Sequence, residues 1–304
     1  MDGDLSQSRA NGVTRIGHMG LRVRDLDAAV EFQTGVLGLV ETERRGRAAY
    51  LTCNERHHEL ILIESERRGY DHIGLEVADA DALEELRRTV GGAGGEAIGA
   101  VYDGEPGIDR AALLRGPGGH VYKLFCGMET GSAPPPGDRP LKFEHASVKG
   151  RRLGPIERFL HDGLGFAFSD RMGRTASWWH CDADHHGMAL IFGPRSELSH
   201  YAWSVADLNA MGRIADRLAA RGQKLIFGPS RHGPGNNQFV YFFDADGAMV
   251  ECCADLAAMP PQGDYQARRW PGGFGAINRW GGPPPPRFLL AGYPIANSGQ
   301  DWLR

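Results

Sequence analysis

The second half of this chain carries two histidines and a glutamate that could together hold a metal ion: His145, His200 and Glu251. The first half has histidines at the two corresponding positions but a lysine at the third, and these residues are His18, His72 and Lys123. Two imidazoles and a carboxylate are good ligands for a divalent metal, whereas an ammonium group repels a cation. The sequence therefore predicts a single metal site, in the second half.

The correspondence between the halves comes from an internal repeat. CNERHHELILIE, which begins at Cys53, recurs 128 positions later as CDADHHGMALIF, which begins at Cys181. GPGGHVYKLFC recurs at the same offset as DADGAMVECCA, and this alignment pairs Lys123 with Glu251. A lone strand histidine is more often a core residue than a ligand, but here all three candidates share one repeat register. Repeats of this length record architecture, so we expect a duplicated scaffold.

The three candidate ligands lie in three separate predicted strands. Because side chains alternate along a strand, two shared faces are expected: Phe143, His145 and Ser147 on one strand, and His200, Ala202 and Ser204 on another. Two histidines and one carboxylate on one side of a metal leave the opposite side open for water, substrate and dioxygen. This arrangement is typical of the facial triad of non-haem iron(II) oxygenases, and the same ligands accept Mn(II).

Three further residues suit proton transfer and recognition of a phenolate near such a metal. They are His186 on a predicted strand, His232 in the glycine-rich loop SRHGPGNN, and Tyr241 on the strand that follows. His185 should face the opposite way from His186, so it is expected to be exposed to solvent. The equivalent pair in the first half is His57 and His58. We interpret it as a structural feature inherited with the repeat.

The hydrophobic pattern predicts the scaffold that must position these residues. Each half divides into two modules of one strand, one helix and three strands. Asp25 is the predicted N-cap of the first helix, and residues 206–222 form the clearest amphipathic helix. In the last module, strands are expected near residues 224–227, 239–243 and 249–253. The predicted fold is α+β, with two tandem domains that are each a pair of βαβββ modules forming a half-open barrel.

Composition predicts where these domains begin and end. We expect a flexible tail at 1–12, a domain without a complete metal site at 13–129, a Pro/Gly-rich linker at 130–139 and a catalytic domain at 140–259. Residues 260–304 are rich in Pro, Gly, Trp and Arg and are predicted to form an irregular arm. Its apolar side chains should be packed. The arm could cover the outer face of its own subunit, form a subunit interface, or close the mouth of the second domain as a flap.

Charge and cysteine content exclude several classes of protein. The chain has 304 residues and a net charge of −4 with mixed signs, which does not indicate a nucleic-acid or membrane surface. The five cysteines form no CxxC pair, and their odd number argues against a disulfide framework. No apolar run approaches the roughly 20 residues of a membrane span, and MDGDLSQSRANG lacks the apolar core of a signal peptide. We expect a cytoplasmic protein.

The motifs resemble those of a known family. FEHASV, HHGMAL, SHYAWSVADL and GPSRHGPGNNQFVYFFDADGAMVE, spread over about residues 14–256, are similar to two-domain extradiol ring-cleavage dioxygenases of type I, in the vicinal oxygen chelate superfamily. The resemblance implies that Fe(II) is held by His145, His200 and Glu251. It also implies that His186 is the acid/base residue, and that His232 and Tyr241 contact the substrate oxygens. The implied reaction is meta cleavage of a catechol by dioxygen in aromatic catabolism, giving a hydroxymuconic semialdehyde, by a homo-oligomer.

Two other functions are compatible with the same fold. One is a glyoxalase-like metal-dependent isomerase or lyase, which needs a second glutamate ligand and gives no role to the further histidines and tyrosine. The other is a metal-free small-molecule-binding protein, which needs no complete triad. The candidate pocket aromatics are Trp178, Trp179, Trp203, Phe242 and Trp280, although large aromatics usually lie in the core. Their bulk slightly favours a monocyclic substituted catechol or a trihydroxybenzene over a biphenyl diol.

Overall fold

The computed structural model describes residues 12–135, 137–260 and 265–297. Residues 1–11 of the predicted tail and two segments of the predicted arm, 261–264 and 298–304, lie outside the described residues, as does residue 136. Within the described residues, each half of the chain forms one mixed sheet beside a small number of helices. This is the predicted α+β architecture of two tandem units.

The first sheet is built by two modules of one strand, one helix and three strands. The first module comprises β1 (Arg15–Val23), α1 (Leu26–Phe32), β2 (Val40–Arg45), β3 (Ala48–Thr52) and β4 (Leu60–Glu64). The second comprises β5 (Gly69–Glu76), α2 (Ala80–Thr89), β6 (Glu96–Asp103), β7 (Arg110–Arg115) and β8 (Val121–Cys126). The strand order is β2-β3-β4-β1-β5-β8-β7-β6, so the antiparallel pair β1–β5 joins the two modules at the centre.

The second sheet repeats this plan. Its first module comprises β9 (Lys142–Gly150), α3 (Leu153–Arg158), β10 (Ala167–Met172), β11 (Ala176–His180) and β12 (Met188–Phe192). Its second comprises β13 (Glu197–Ser204), α4 (Leu208–Ala220), β14 (Phe227–Arg231), β15 (Gln238–Phe243) and β16 (Met249–Ala254). From β10 to β14 the strand order is β10-β11-β12-β9-β13-β16-β15-β14. Each strand occupies the same place as its equivalent in the first sheet. Neither path closes on itself among the described strands, which leaves each barrel half open.

The register of the central strands confirms the internal repeat. In the first sheet Gly74 on β5 lies opposite Lys123 on β8, and in the second Ala202 on β13 lies opposite Glu251 on β16. Both pairs are parallel, and both members shift by the same 128 positions. Lys123 and Glu251 therefore occupy one structural position in two copies of the fold. A single side-chain difference distinguishes the two copies at this position.

Local sequence explains where the helices begin. Asp25 has extended backbone geometry, and its carboxylate accepts a hydrogen bond from the amide of Ala28, as the predicted N-cap should. Asp79 and Asp207 cap α2 and α4 in the same way. The helices α1 and α3 each continue into a π-helical turn, Gln33–Leu37 and Phe159–Gly163, at equivalent places in the two halves. The repeat thus extends to irregular features of the helices.

Two strands differ from the sequence-based expectation. Sequence analysis did not locate β6, because its side chains are mostly exposed at the edge of the sheet and leave no apolar alternation. The strand expected near residues 224–227 begins only at Phe227 and runs to Arg231. Its sequence, FGPSR, carries glycine and proline and little apolar signal, whereas the preceding Leu225 and Ile226 are apolar without being part of the strand.

In its described residues, the predicted arm has a 3₁₀ turn at Phe274–Ala276, two short strands and one short helix. The strands are β17 (Arg268–Trp270) and β18 (Tyr293–Pro294), and the helix is α5 (Pro286–Leu290). β17 runs parallel to β10, and β18 runs antiparallel to β13. Beyond β18 the amide of Ala296 donates to the carbonyl of Tyr70 on β5, at 2.9 Å. The arm therefore crosses the second half and ends against the first.

One continuous apolar core joins the two halves. The largest cluster of buried side chains contains residues from β1, β5, β9 and β13 together with the helices packed on them. At the junction, the side-chain amide of Gln33 donates to the hydroxyl of Tyr201 at 2.9 Å, and both residues are buried. Across the described parts of the chain, no helix combines the length and apolarity that crossing a membrane requires.

Candidate metal centre

Three adjacent central strands of the second sheet carry the predicted ligands. His145 lies on β9, His200 on β13 and Glu251 on β16, and all three side chains are buried. The Nε2 atoms of the two histidines are 3.3 Å apart, and each lies 3.1 Å from Oε2 of Glu251. The three residues form the one compact group of potential metal ligands among the described residues.

The spacing of the ligand atoms fits a divalent ion. Three bonds of about 2.1 Å that meet at right angles separate their ligand atoms by about 3.0 Å, and tetrahedral angles separate them by about 3.4 Å. The measured edges of 3.1, 3.1 and 3.3 Å lie between these two values. The Nδ1 atoms of His145 and His200 have no hydrogen-bond partner within the described part of the protein, so each ring can keep its proton there and offer a lone pair at Nε2. The donor set fits a metal.

Electrostatics favour an ionised Glu251 and a neutral His200. Burial alone would raise the pKa of Glu251, but the charge and hydrogen bonds of His145 and His200 hold this pKa well below its usual value. Burial also lowers the pKa of His200, which favours the neutral imidazole. The second carboxylate oxygen of Glu251 accepts a hydrogen bond of 3.0 Å from the side-chain amide of Asn237. Asn237 thereby fixes the orientation of the carboxylate.

Irregular strand pairing changes one predicted face. The register of β9 against β13 shifts between Ala202 and Trp203, and this irregularity turns the end of β9 over. Phe143 therefore packs edge-on against Trp203 in the core and does not share the face of His145. Ser147 does share it and lines the same cavity as His145. Strand alternation was correct for the segment next to the ligand and wrong beyond the irregularity.

His232 and Tyr241 lie beside the triad, as predicted. Burial lowers the pKa of His232 to about 4, so the ring is neutral at physiological pH. Its Nδ1 donates to the carbonyl of Ile277 in the arm at 2.5 Å, which leaves Nε2 as an acceptor, 3.0 Å from the hydroxyl of Tyr241. That hydroxyl also lies 2.7 Å from Oε2 of Glu251. Burial, reinforced by Glu251, raises the pKa of Tyr241 well above its usual value, so the tyrosine is a hydrogen-bond donor.

His186 lines the same cavity, with its ring centroid 4.5 Å from that of His145. Burial, followed by the neighbouring histidines, lowers the pKa of His186 well below its usual value. Behind it, His185 is buried and not exposed as expected, with its Nδ1 3.0 Å from Nδ1 of His186. The far nitrogen of His185 lies 3.0 Å from the hydroxyl of Tyr265 and 3.3 Å from the carboxylate of Asp170. The arm supplies Tyr265, which explains why local alternation missed this burial.

Both halves of the chain match one known protein superfamily. Residues 15–122 and 142–252 each match the Glyoxalase/Bleomycin resistance protein/Dioxygenase superfamily. The two matches coincide with the two sheets and together span most of the chain. The chain belongs to this superfamily. Its two-unit plan, with few helices and open barrels, is the one predicted for a vicinal oxygen chelate protein.

Individual relatives within the superfamily include enzymes that act on aromatic diols. Metapyrocatechase from Pseudomonas sp. (strain CF600) is 28% identical over 263 residues, covering 79% of this chain and 85% of the relative. A manganese-dependent 2,3-dihydroxybiphenyl 1,2-dioxygenase from Geobacillus genomosp. 3 is 23% identical over 257 residues, covering 76% and 82%. The crystal structure of a Mn(II)-bound glyoxalase from Novosphingobium aromaticivorans has a TM-score of 0.86 at 26% identity, covering 95% and 97%.

The first unit of this superfamily member has a different set of buried groups. His18 and His72 approach each other, with 3.0 Å between their Nε2 atoms, much as the second-half histidines do. Lys123 stands beside them and forms an ion pair with Glu105, which enters from the loop after β6. Both side chains of this pair are only 1% exposed. The residue equivalent to Glu251 in the first unit is thus a lysine held in a buried ion pair.

The cavity beside the triad has a volume of about 390 Å³, and sequence analysis missed much of its lining. The arm contributes Phe274, Ala276, Ile277, Phe288 and Leu289, so it forms part of the cavity wall. Among the aromatic candidates, Trp178 lines the cavity. Three others are buried in the core, Trp179, Trp203 and Phe242, while Trp280 is more than half exposed. An irregular arm gives no periodic signal that could have assigned its residues to a pocket.

Proposed function

We propose that this protein is an extradiol dioxygenase that cleaves the ring of a catechol-type diol with dioxygen and gives a hydroxymuconic semialdehyde-type product. The observation that carries the proposal is the triangle of two imidazole nitrogens and one carboxylate oxygen in the wall of a largely apolar cavity. Such a facial set binds a metal from one side and leaves the side toward the cavity free for ligands. Membership of the superfamily and the similarity to metapyrocatechase support the same reaction.

We propose His145, His200 and Glu251 as the metal ligands and Fe(II) as the metal. A divalent ion at this position supplies Lewis acidity that favours the ionised diol and brings the diol and dioxygen together. Mn(II) is the alternative ion, and the Mn(II)-bound structural neighbour and the manganese-dependent relative support it. Asn237 and Tyr241 hold the two oxygens of Glu251 and so fix the direction of its ligating lone pair.

The cavity residues divide the proton transfers between them. His232 is neutral and donates through Nδ1 to Ile277, so its Nε2 is free to take a proton from one hydroxyl of the diol. Tyr241 stays protonated, and its one hydroxyl proton, which points to Glu251 in this structure, can turn toward a substrate oxygen beside it. His186 is the acid/base group where the ring is opened. Positioned proton transfer of this kind contributes roughly 10²–10⁴-fold to a rate.

Two alternatives on the same fold remain as competing hypotheses. The neighbour named a glyoxalase favours a metal-dependent isomerase or lyase, which consumes no dioxygen. Such an enzyme needs a second glutamate, and the compact ligand group of the described residues contains one carboxylate. A metal-free binding protein has no use for three convergent ligand atoms or for a carboxylate held ionised among histidines.

Further proposals concern the state of the protein in the cell. We propose a cytoplasmic homo-oligomer, in which all five cysteines are free thiols. The first unit, within 13–129, acts as a scaffold, and the second, within 140–259, carries the chemistry. The linker at 130–139 joins them, and the arm at 260–304 completes the cavity.

One experiment separates these functions. The protein, purified without air, is loaded with Fe(II) or Mn(II), and oxygen uptake and the ring-cleavage absorbance are followed after addition of catechol. We expect one metal ion per chain, stoichiometric oxygen uptake and a yellow product. His232→Gln should lower the rate while retaining the metal, and Arg115→Gln, far from the cavity, is the matched control. Metal binding without oxygen uptake on any catechol would instead support an isomerase.

A further inference from the structure

The cavity has a sharply uneven distribution of polar groups. The triad, His186, His232 and Tyr241 gather its charge and hydrogen-bonding capacity at one end. Most of the remaining lining is aliphatic or aromatic. No lysine, arginine or aspartate lines the cavity among the residues that the structure describes. Ser147, Thr175 and Asn237 also line it, but every ionisable side chain of the lining belongs to the group around the triad.

Several cationic side chains are close in sequence to the lining, and none of them lines the cavity. Arg174 and Arg287, next to Thr175 and Phe288, are exposed, and Arg287 lies over the ring of Phe243. Arg171, next to the lining residue Met172, pairs with Glu157 at 2.7 Å. Arg231, next to His232, pairs with Asp255 at 3.0 Å. Lys149 lies 3.4 Å from Glu197 and also donates to backbone carbonyls of the arm. None of these cations lines the cavity, so a carboxylate buried there would have no charge partner.

The apolar end is built by strands on one side and by the arm on the other. Ala176 on β11 lies directly opposite Ile191 on β12, and both side chains face the cavity. Phe274 and Leu289 of the arm also line it. We call the space lined by Ala176, Ile191, Phe274 and Leu289 the apolar lobe. The cavity of about 390 Å³ equals roughly 13 liquid-water volumes of about 30 Å³. That is more than the eight non-hydrogen atoms of catechol need, so the cavity has room for a substituent on the ring.

We propose, on the basis of the dioxygenase function above, that the substrate is a catechol with an uncharged apolar substituent, alkyl or aryl, and without a carboxylate. The diol lies at the triad and the substituent fills the apolar lobe. Each methylene buried in the lobe should raise kcat/KM about fourfold. A carboxylate in the same place loses its water without gaining a partner, so it should lower kcat/KM by about 10²-fold or more.

The test compares shape-matched substrates. Catechol, methylcatechol, propylcatechol, isobutylcatechol, 2,3-dihydroxybiphenyl and 3,4-dihydroxyphenylacetate are assayed by oxygen uptake, with the alkyl groups at ring position 3 or 4. Isobutyl and carboxymethyl groups have nearly the same shape and differ in charge. Anaerobic binding is measured in parallel from the fluorescence of Trp178, which lines the cavity. We expect propylcatechol to exceed catechol by roughly 60-fold and 3,4-dihydroxyphenylacetate to fall at least about 10²-fold below isobutylcatechol. The assay with 2,3-dihydroxybiphenyl distinguishes a preference for an aryl substituent from one for an alkyl substituent.

A pair of variants tests the role of the lobe itself. Leu289→Arg places a cation at the lobe from a position that is 42% exposed. Leu290→Arg is the matched control, because Leu290 is the next residue, is 82% exposed and does not line the cavity. Leu289→Arg should shift the ratio of kcat/KM toward 3,4-dihydroxyphenylacetate by about tenfold or more, and Leu290→Arg should leave it unchanged.

The outcomes distinguish a failure of the proposed function from a failure of the proposed substrate class. If no catechol is cleaved, the proposed function is wrong. If catechol is cleaved and 3,4-dihydroxyphenylacetate is turned over and bound as well as isobutylcatechol, the dioxygenase stands and the substrate class is overturned. Equal kcat/KM along the alkyl series would likewise overturn it, because the lobe would then be empty during turnover.

Discussion

The ion pair in the first unit permits a quantitative prediction about stability. Lys123→Met removes a buried ammonium group and keeps a side chain of similar length, so it leaves the carboxylate of Glu105 in a site that is 1% exposed. Tyr102 still donates one hydrogen bond to that carboxylate, at 2.9 Å. Breaking one side of a buried ion pair typically costs about 3–5 kcal/mol. We therefore expect the free energy of unfolding to fall by about this amount.

The double variant Lys123→Met/Glu105→Leu gives the opposite expectation. Replacing both partners of a buried pair by apolar residues is often neutral or stabilising, by up to about 4 kcal/mol. The double variant should therefore be at least as stable as the wild type, although one of its component changes is severe. The coupling between the two positions should be about 3 kcal/mol or more.

Urea denaturation measures this prediction, with metal content as an independent readout. Arg115→Met is the matched control, because its ion pair with Glu96 is about half exposed and should be worth about 1 kcal/mol or less. Metal content should stay unchanged in all variants, since the site lies in the other unit. A loss below about 1 kcal/mol in Lys123→Met would refute the reasoning, because the pair would then be no more important than a surface one.

The remaining predictions concern the second unit. Glu251→Ala should abolish metal retention and activity because it removes one of three ligand atoms, whereas His72→Ala should keep the metal content near normal; stoichiometric metal in Glu251→Ala protein would contradict the ligand assignment. His186→Phe should still bind metal and catechol but turn over about 10²–10⁴-fold more slowly in stopped-flow assays, and full activity would move the acid/base role to His232. Truncation after Met259 removes the arm and should weaken substrate affinity and broaden substrate preference. Size-exclusion chromatography checks whether assembly changes, and unchanged kinetics would show that the arm is dispensable.

The site could be predicted from sequence because its residues repeat in register. Glu251 and Lys123 are recognisable as equivalents only because the flanking strands keep the same spacing in both copies, and the parallel pairing of those strands preserves that spacing. His186, His232 and Tyr241 lie on or beside strands of the same sheet, so their order along the chain carries over to space. In this fold, residues that occur in a fixed order along the chain therefore lie around one cavity.

Other features depend on contacts that a local pattern does not contain. Phe143 changes face because of a strand irregularity, and His185 is buried because Tyr265 arrives from 80 positions away. Asn237 carries no motif, and its role follows only from its 3.0 Å contact with Glu251. The strand β6 is exposed and has no apolar period to detect. Sequence reasoning failed wherever tertiary packing, and not strand alternation, decided the environment.

The arm also has a consequence for how the protein is made. Its amide at Ala296 bonds to Tyr70, its Tyr293 hydroxyl donates to the carbonyl of Arg22, and its middle segment forms part of the cavity wall. During synthesis the ribosome releases both sheets before it releases this segment, and domains generally fold in that order. A nascent chain can therefore have its three ligands in place while the cavity is still open to water. The first unit, through Tyr70 and Arg22, provides the surface on which this last segment is anchored.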